Sequence, residues 1–194
     1  MGFLSDSMLY LQYFMKKAKL NRLLRKNGLD FTGRIEDSNN DFRGYEGCYD
    51  INKILQKMNI NSTDKILDVG CGKGLFLWYA TKYKFSQIDG LEYSEKLCKI
   101  AQNNLKIVND SRLNVINQDA REFSKYENYN YFFFNNPFSA NIMLDVVKKI
   151  LNTLKTNPRK IVIIYQFPFS KSVFIENGFK IKYEKFPNMV LTLE

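Results

Sequence analysis

The stretch Ile66-Leu67-Asp68-Val69-Gly70-Cys71-Gly72-Lys73-Gly74 decides the fold of this chain. Its first part is short and apolar, as in a buried strand, and its second part places a glycine at every other position before an apolar segment begins. Glycine is required where a ligand approaches the backbone closely or where φ is positive. In open α/β sheets, ligands bind at this point, outside the carboxyl ends of the strands. The stretch therefore predicts a strand, a ligand-binding turn and a helix.

The spacing of the glycines distinguishes two kinds of ligand. A dinucleotide fingerprint, G-x-G-x-x-G, presents a helix N-terminus to a pyrophosphate. Here the turn is closed by Gly74, and Leu75 stands where that fingerprint has its third glycine. Asp68, two residues before the first glycine, is a poor neighbour for a diphosphate and a good one for an ammonium group. The spacing therefore favours a ligand with a positive charge over a pyrophosphate.

The chain beyond this turn alternates short apolar strands with amphipathic helices, a pattern typical of a parallel sheet covered on both faces. The last two strands have no long helix between them and are expected to form an antiparallel hairpin at the sheet edge. The predicted fold is α/β, a doubly wound, mostly parallel, seven-stranded Rossmann-like sheet. The predicted strands are Lys65–Val69, Gln87–Leu91, Arg112–Ile116, Tyr129–Phe134, Lys160–Tyr165, Lys180–Tyr183 and Met189–Thr192, and the predicted helices among them are Gly74–Tyr83, Glu95–Lys106, Ala140–Leu154 and Lys171–Glu176.

An N-terminal helical extension, residues 1–60, is expected to precede the core, residues 61–194. Apolar residues at spacings of three and four predict an amphipathic helix over residues 4–26, and Ile51–Met58 forms a second, shorter one. The polar and aromatic stretch between them, residues 30–50, is expected to be a loop. Three explanations of the first helix stay open: a lid over a pocket, a membrane-surface or nucleic-acid contact, or a helix packed on the core.

The residue types that are missing exclude several kinds of site. The chain has no histidine, which excludes imidazole-based triads and general bases and most transition-metal sites. Its three cysteines, Cys48, Cys71 and Cys98, form no C-x-x-C pair, so we expect reduced thiols in a cytoplasmic protein, with neither disulfides nor a metal site. No run of about 18 apolar residues is present, so no transmembrane segment is expected.

The charge of the chain is strongly positive. Its net value is +9, and seven basic residues against two acidic ones lie within the first 34 positions. Such an excess is typical of proteins that bind nucleic acid, an anionic membrane surface or an anionic ligand. A lysine-rich composition gives the same charge without a polyanionic partner, and both interpretations stay open.

The string D-x-G-x-G-x-G at positions 68–74 resembles motif I of the class I S-adenosylmethionine-dependent methyltransferases. The resemblance covers about residues 43–194 and points to a bacterial group whose motif I reads G-C-G-K-G and whose motif IV reads N-P-F. It implies S-adenosylmethionine as the cofactor, with Asp68 facing its methionine end. The turn backbone would lie along the cofactor, with contacts from Gly70, Cys71, Gly72 and Gly74.

Further cofactor contacts are implied at the ends of the next two strands. Glu92 ends the second strand and is expected to accept hydrogen bonds from the two ribose hydroxyls, with Tyr93 beside it. The segment after the third strand resembles the adenine site of the family, in which Asp119 accepts from the exocyclic amine and Ala120 offers its backbone. Tyr45, ahead of the first strand, corresponds to an aromatic residue that covers the cofactor, and it is equally explained as a loop aromatic packed on the core.

Asn135-Asn136-Pro137-Phe138, after the fourth strand, is the predicted catalytic segment, and Asn135 is also an expected cofactor contact. It loosely resembles the [N/D]-P-P-[F/Y/W] motif of amino methyltransferases. The resemblance implies that an amide side chain and the following backbone carbonyl hold a target NH₂ group while Phe138 stacks on a planar acceptor. Two asparagines precede a single proline here, so either is a candidate for the amide ligand. The segment is also similar to the Asn-Asn-x-x-Phe segment of the seven-strand histone-lysine methyltransferases, and Pro137 with Phe138 is also explained as a simple turn.

The predicted function is methyl transfer by in-line displacement to a nitrogen acceptor. The acceptor stays open among RNA, a protein amine and a small molecule, and no DNA-binding module is evident. One alternative is a methyltransferase of a small metabolite or a surface sugar, which the lack of an added RNA-binding module favours. Another is a non-catalytic S-adenosylmethionine-binding subunit, against which the intact Asp68, Glu92 and Asp119 argue.

Overall fold

The computed structural model of the chain describes residues 15, 18, 22, 24–33, 48 and 51–194. Its centre is one sheet of seven strands with the spatial order β3-β2-β1-β4-β5-β7-β6. Neighbours from β3 through to β5 are parallel, and β7 runs antiparallel to both β5 and β6. The strands are β1 (Lys65–Val69), β2 (Gln87–Glu92), β3 (Leu113–Asn117), β4 (Tyr131–Asn135), β5 (Ile161–Gln166), β6 (Lys180–Lys185) and β7 (Asn188–Leu193). The predicted fold class and the antiparallel hairpin are confirmed, with β7 inside the sheet and β6 at its edge.

The helices cover both faces of this sheet. They are α1 (Asn52–Leu55), α2 (Leu75–Ala80), α3 (Glu95–Val108), α4 (Ala140–Thr153) and α5 (Lys171–Glu176). Helix α2 ends three residues before the predicted Tyr83. The hydroxyl of Thr81 donates to the carbonyl of Trp78 at 2.8 Å, and the last turn closes with i to i+3 bonds, which tighten and terminate a helix.

Two apolar layers pack on the sheet and fix the direction of each side chain. Ile66 belongs to the layer on one face and Leu67 to the layer on the other, as the alternation of a strand requires. On β4, Phe133 stacks on Phe76 of α2 with ring centroids 3.8 Å apart, whereas Phe134 points into the opposite layer. Because both faces are buried, the central strands are almost continuously apolar, and a polar residue within them stands out.

The described part of the N-terminal segment packs against the sheet. Met15, Ala18, Arg22 and residues 24–26 are helical, in agreement with the predicted first helix. Leu24 and Phe31 are buried in the same apolar layer as Ile66. The division of the chain at residue 60 stays a prediction. No helix among the described residues is long and apolar enough to cross a membrane.

Candidate functional site

The glycine turn joins β1 to α2 at the carboxyl edge of the sheet. Gly70, Gly72 and Gly74 have φ values of 81°, 55° and 83°, a left-handed backbone that favours glycine. The amides of Gly70 and Cys71 donate to the carbonyl of Leu91 at 2.8 and 3.1 Å, and the amide of Gly74 donates to the carbonyl of Cys71 at 2.9 Å. These amides are therefore satisfied within the protein and are not presented to an anion. This arrangement agrees with the sequence argument against a pyrophosphate.

Gly90 on β2 allows the turn to lie this close to the sheet. A Cβ atom at Gly90 would fall 2.6 Å from the Sγ of Cys71 and 2.8 Å from its Cβ. Cys71 is buried, so its side chain anchors the turn on β2 and leaves only its backbone for the predicted cofactor contact. Sequence reasoning missed Gly90. A glycine inside an apolar strand is the signal that could have found it, since such a position marks a close approach of another part of the chain.

Asp68 is the buried polar residue of β1. It is 2% exposed, and no described residue donates a hydrogen bond to its Oδ1. Burial raises the pKa of Asp68 well above its ordinary value, and the nearby charge of Glu92 raises it further. A buried carboxylate without a partner is costly, and a cationic ligand would relieve that cost. The orphaned oxygen therefore fits the ammonium group of the methionine end of S-adenosylmethionine.

Glu92 connects the glycine turn to the next helix. Its Oε2 accepts from the amide of Gly72 and its Oε1 from the amide of Ser94, each at 2.8 Å. Two backbone donors therefore fix the plane of a carboxylate that is itself 8% exposed. A carboxylate oxygen can accept more than one hydrogen bond, so this geometry is compatible with ribose hydroxyls as further donors. Tyr93 follows at 50% exposure, beside the same site.

Asp119 and Ala120 lie beyond the end of β3. The Asp119 carboxylate pairs with Arg121 at 2.7 Å, and the hydrogen bonds from this guanidinium lower the pKa of Asp119. Asp119 is thus held ionised as an acceptor. The carbonyl of Ala120 accepts from the hydroxyl of Tyr126 at 2.7 Å, which fixes the backbone here. Their roles toward the adenine ring stay predictions.

The Asn135–Phe138 segment comes directly against the glycine turn. A Cβ atom at Gly70 would lie 2.5 Å from the Cβ of Pro137, so the Gly70 backbone is in contact with the Pro137 ring. Asn136 has a φ of 47° and is 8% exposed, and within the described chain its Oδ1 has no hydrogen-bond donor. Strand alternation and the parallel register place Asn135 on the same face of the sheet as Asp68. Two amide side chains thus lie beside the glycine turn.

Phe138 is placed differently from its neighbours. It is 3% exposed and packs edge-to-face on Phe134, with ring centroids 6.4 Å apart, inside an apolar layer. In this arrangement the Phe138 ring packs within the apolar layer and supports the Asn135–Phe138 segment. Stacking of Phe138 on an acceptor stays a prediction.

The family model described as ribosomal RNA adenine dimethylase matches residues 49–185 of the chain. The chain belongs to this family. Membership confirms the predicted class, the class I S-adenosylmethionine-dependent methyltransferases, and with it the predicted enzyme type and cofactor.

Two similar proteins carry the name rRNA adenine N-6-methyltransferase. The one from Limosilactobacillus reuteri is 30% identical over 127 residues, which cover 66% of this chain and 50% of that protein. The one from Lysinibacillus sphaericus is 25% identical over 119 residues, covering 61% and 47%. The chain thus spans about half the length of the curated relatives it matches. The crystal structure of a SAM dependent methyltransferase from Aquifex aeolicus shares the fold, with a TM-score of 0.56, 14% identity, and coverage of 75% of this chain and 90% of that chain.

In this family member, Lys73 ties the N-terminal segment to the glycine turn. Its Nζ is 3.0 Å from Oδ1 of Asp30 and also donates to the carbonyl of Thr32. Asn104 of α3 completes the network, since its side-chain amide donates to the carbonyls of Asp30 and Lys73, each at 2.9 Å. Sequence reasoning missed this network. Its signal is Asn104 itself, a polar residue on the apolar face of α3 that contains Leu97 and Ala101.

A basic cleft of about 600 Å³ adjoins this network. Its lining residues are Ala18, Arg22, Arg25, Lys26, Thr32 and Gly33. Arg25 also donates to the hydroxyl of Thr32 at 2.9 Å, which holds one guanidinium in place. Tyr45, the predicted cofactor cover, lies outside the described residues, as does most of the predicted loop.

Proposed function

We propose that this family member transfers a methyl group from S-adenosylmethionine to the exocyclic amino nitrogen of an adenine in ribosomal RNA. The observation that carries the proposal is the contact between Gly70 of the cofactor turn and Pro137 of the Asn135–Phe138 segment. This contact puts amide acceptors suited to an NH₂ group next to the cofactor turn. Family membership and the names of the two bacterial relatives support adenine in ribosomal RNA as the acceptor.

On the cofactor side, three carboxylates have distinct tasks in the proposed complex. Asp68, at the end of β1, pairs with the ammonium group; Glu92 accepts from the ribose hydroxyls; and Asp119 accepts from the adenine amine of the cofactor. When bound, the cofactor supplies a methyl carbon attached to a sulfonium, which is a strong leaving group. The protein therefore has to align the acceptor and exclude water, and such positioning can contribute several kcal/mol to lowering the barrier.

On the acceptor side, the amine needs hydrogen-bond acceptors more than it needs a base. The lone pair of an adenine amine is delocalised into the ring, and acceptors on its two hydrogens orient it toward the methyl carbon. The Oδ1 of Asn136 is buried with no donor from the described residues, and Asn135 lies beside it. The nitrogen that accepts the methyl group would become positive and would release its proton to water, so the two asparagines would only have to orient the amine. A chain with no histidine can perform this chemistry.

The basic cleft supports a polyanionic acceptor. Arg22, Arg25 and Lys26 line it, and it adjoins the segment that Lys73 ties to the cofactor turn. Cations near the reaction site would bind RNA phosphates and hold the strand in register, while base contacts select the target. The reaction would take place in the cytoplasm, where ribosomal RNA is available and where the buried thiols of Cys48, Cys71 and Cys98 stay reduced.

The test is to follow an isotopically labelled methyl group from S-adenosylmethionine into a mixture of ribosomal RNA, ribosomal protein and small metabolites. We expect the label in RNA, and we expect Asn135→Ala combined with Asn136→Ala to abolish it. Label only in protein or only in small molecules would refute the proposed acceptor. Cofactor binding without any transfer would instead indicate a non-catalytic subunit.

A further inference from the structure

An exposed aromatic cluster, Phe167, Phe169 and Phe186, lies just past the end of β5. Phe169 and Phe186 are 66% and 69% exposed, more than any other aromatic side chain that the structure describes. Phe167 contacts both of them, with centroid distances of 6.4 Å to Phe169 and 5.7 Å to Phe186. Large exposed apolar side chains that touch one another mark a binding surface more often than isolated ones do.

The cluster lies at the same sheet edge as the proposed reaction site. Gln166, the last residue of β5, is level with Asn135 on the neighbouring strand β4. Adjacent strands are about 4.8 Å apart, so the residues after Gln166 begin within one strand spacing of the Asn135–Phe138 segment. The β6–β7 turn brings in Phe186, because Asn188 at the start of β7 pairs with Gln166.

The backbone holds the cluster in position. Phe167 has a φ of 50°, a conformation that a bulky residue rarely adopts. Its amide donates to the carbonyl of Pro187 at 2.7 Å, and its own carbonyl accepts from the amide of Phe169 at 2.7 Å. Backbone strain of this kind gathers at binding and catalytic sites, and here it holds the exposed rings of Phe169 and Phe186 in place.

We propose that Phe169 and Phe186 stack on unpaired RNA bases that flank the target adenine. This inference rests on the proposed function and adds a contact that selects single-stranded or looped RNA over paired RNA. Aromatic rings at the edge of a site bind successive bases through their faces, and basic residues alongside bind the phosphates. On β6, the strand that ends just before Phe186, Lys182 and Lys185 are exposed, and Glu184 between them pairs with Lys171 at 2.7 Å, so the strand keeps a positive charge. The positive charge also favours RNA over an apolar peptide as the occupant.

The test compares Phe169→Ala, Phe186→Ala and the double variant with the intact chain. Binding is measured with two probes, a short single-stranded RNA that carries a fluorescent adenine analogue quenched by stacking, and the same sequence as a full duplex. We expect each single variant to weaken single-strand binding by roughly tenfold, as the loss of one stacked base predicts. Quenching should fall in parallel, while duplex binding and S-adenosylmethionine affinity should stay unchanged. Ile175→Ala, which removes another exposed apolar side chain on α5, should change none of these quantities.

The outcomes separate this inference from the proposed function. If the intact chain methylates RNA and the double variant binds and quenches the single-stranded probe equally well, the stacking inference is wrong and the proposed function stands. If the three variants weaken single-strand and duplex binding alike, the cluster does not bind unpaired bases selectively. If the intact chain neither binds nor methylates RNA, both proposals fail. Ribosomal protein serves as a further probe, and a loss of binding to that probe alone in the double variant would assign the cluster to a peptide and overturn the inference.

Discussion

Gly70 and Pro137 are so close that a methyl group on Gly70 would lie 2.5 Å from the Pro137 Cβ. The first residue belongs to the glycine turn, the proposed cofactor contact, and the second belongs to the segment proposed to hold the acceptor. Their contact fixes the distance between the two halves of the site. A change at either residue should therefore disturb both cofactor binding and acceptor alignment.

Gly70→Ala should lower the free energy of unfolding by more than the left-handed backbone conformation alone explains. Gly33 provides the matched control, because its φ of 85° is close to the 81° of Gly70 and no atom of the described residues lies within 4 Å of its added Cβ. A left-handed alanine costs about 1–2 kcal/mol at either position. At Gly70 the clash with Pro137 adds to this cost, so urea unfolding should show a larger loss than for Gly33→Ala. Equal losses would contradict the contact.

The affinity for S-adenosylmethionine should rise with pH as Asp68 ionises. Burial raises the pKa of Asp68, so below that raised value its carboxyl is protonated and cannot pair with an ammonium group. Affinity should increase as the pH rises through this value and then level off. Calorimetry in two buffers with different ionisation enthalpies should detect a released proton. Asp68→Asn should lower affinity by roughly 10- to 100-fold and abolish the proton release. Asp145→Asn on α4 is the control for loss of an exposed carboxylate. If Asp68→Asn releases as many protons on cofactor binding as Asp145→Asn does, Asp68 is not the group that ionises.

The stability of the cofactor-free protein should depend on pH in the opposite sense. The folded-state pKa of Asp68 is raised, so folding favours the protonated form. The resulting stabilisation is fully present below the unfolded-state pKa and is lost as pH rises through the folded-state pKa. Asp68→Asn removes this loss and should flatten the decline in unfolding free energy measured by denaturant titration. A decline just as steep in the variant would show that another group is responsible.

The two asparagines after β4 should control turnover more than cofactor binding. Asn136→Ala removes a buried acceptor oxygen, and Asn135→Ala removes the amide that ends the strand. Each should lower kcat by roughly 100- to 1,000-fold, as the loss of one positioned hydrogen-bonding group does, while the Kd for S-adenosylmethionine changes little. The variant with the larger effect on kcat identifies the asparagine side chain that binds the target amine. Asn103→Ala, on the exposed side of α3, is the control, and unchanged kcat in both site variants would reduce the segment to a structural turn.

Replacing Asp30 should lower the stability of the fold more than replacing Lys73. Lys73 has a side chain only 6% exposed, whereas the side chain of Asp30 is 52% exposed. Asp30→Ala leaves an ammonium group buried with one partner fewer and should cost about 1–3 kcal/mol of stability. Lys73→Met leaves a carboxylate that water can reach, so its cost should be smaller. Equilibrium unfolding of both variants measures the order, and the reverse order would contradict the burial of Lys73.

The sheet and its edge could be predicted from sequence because local patterns determine them. Apolar runs such as Phe132–Phe134 indicate buried strands, and Asp68, Glu92 and Asn135 each follow or end such a run. In a parallel sheet these ends meet at one edge, so the positions alone bring the residues together. The observed helix and strand boundaries differ from the predicted ones by a few residues, because side-chain caps such as Thr81 determine where an element ends.

The contacts between distant segments could not be predicted in this way. Lys73 reaches Asp30 across 43 positions, and Asn104 reaches Asp30 across 74, so no local pattern relates them. The close approach of Gly70 to Pro137 depends on how β1 and β4 pair. The aromatic cluster requires the β6–β7 turn to fold back beside β5. Each of these depends on tertiary packing, which periodicity does not report.

Nucleoside analysis of ribosomal RNA is the most direct test of the proposed reaction. Ribosomal RNA would be incubated with the intact chain and methyl-labelled S-adenosylmethionine, then digested to nucleosides and separated. The proposal predicts label in adenosine methylated on its exocyclic nitrogen, and none when Asn135 and Asn136 are both replaced by alanine. Label confined to another nucleoside or to ribose, or no label in RNA while S-adenosylmethionine still binds, would contradict it.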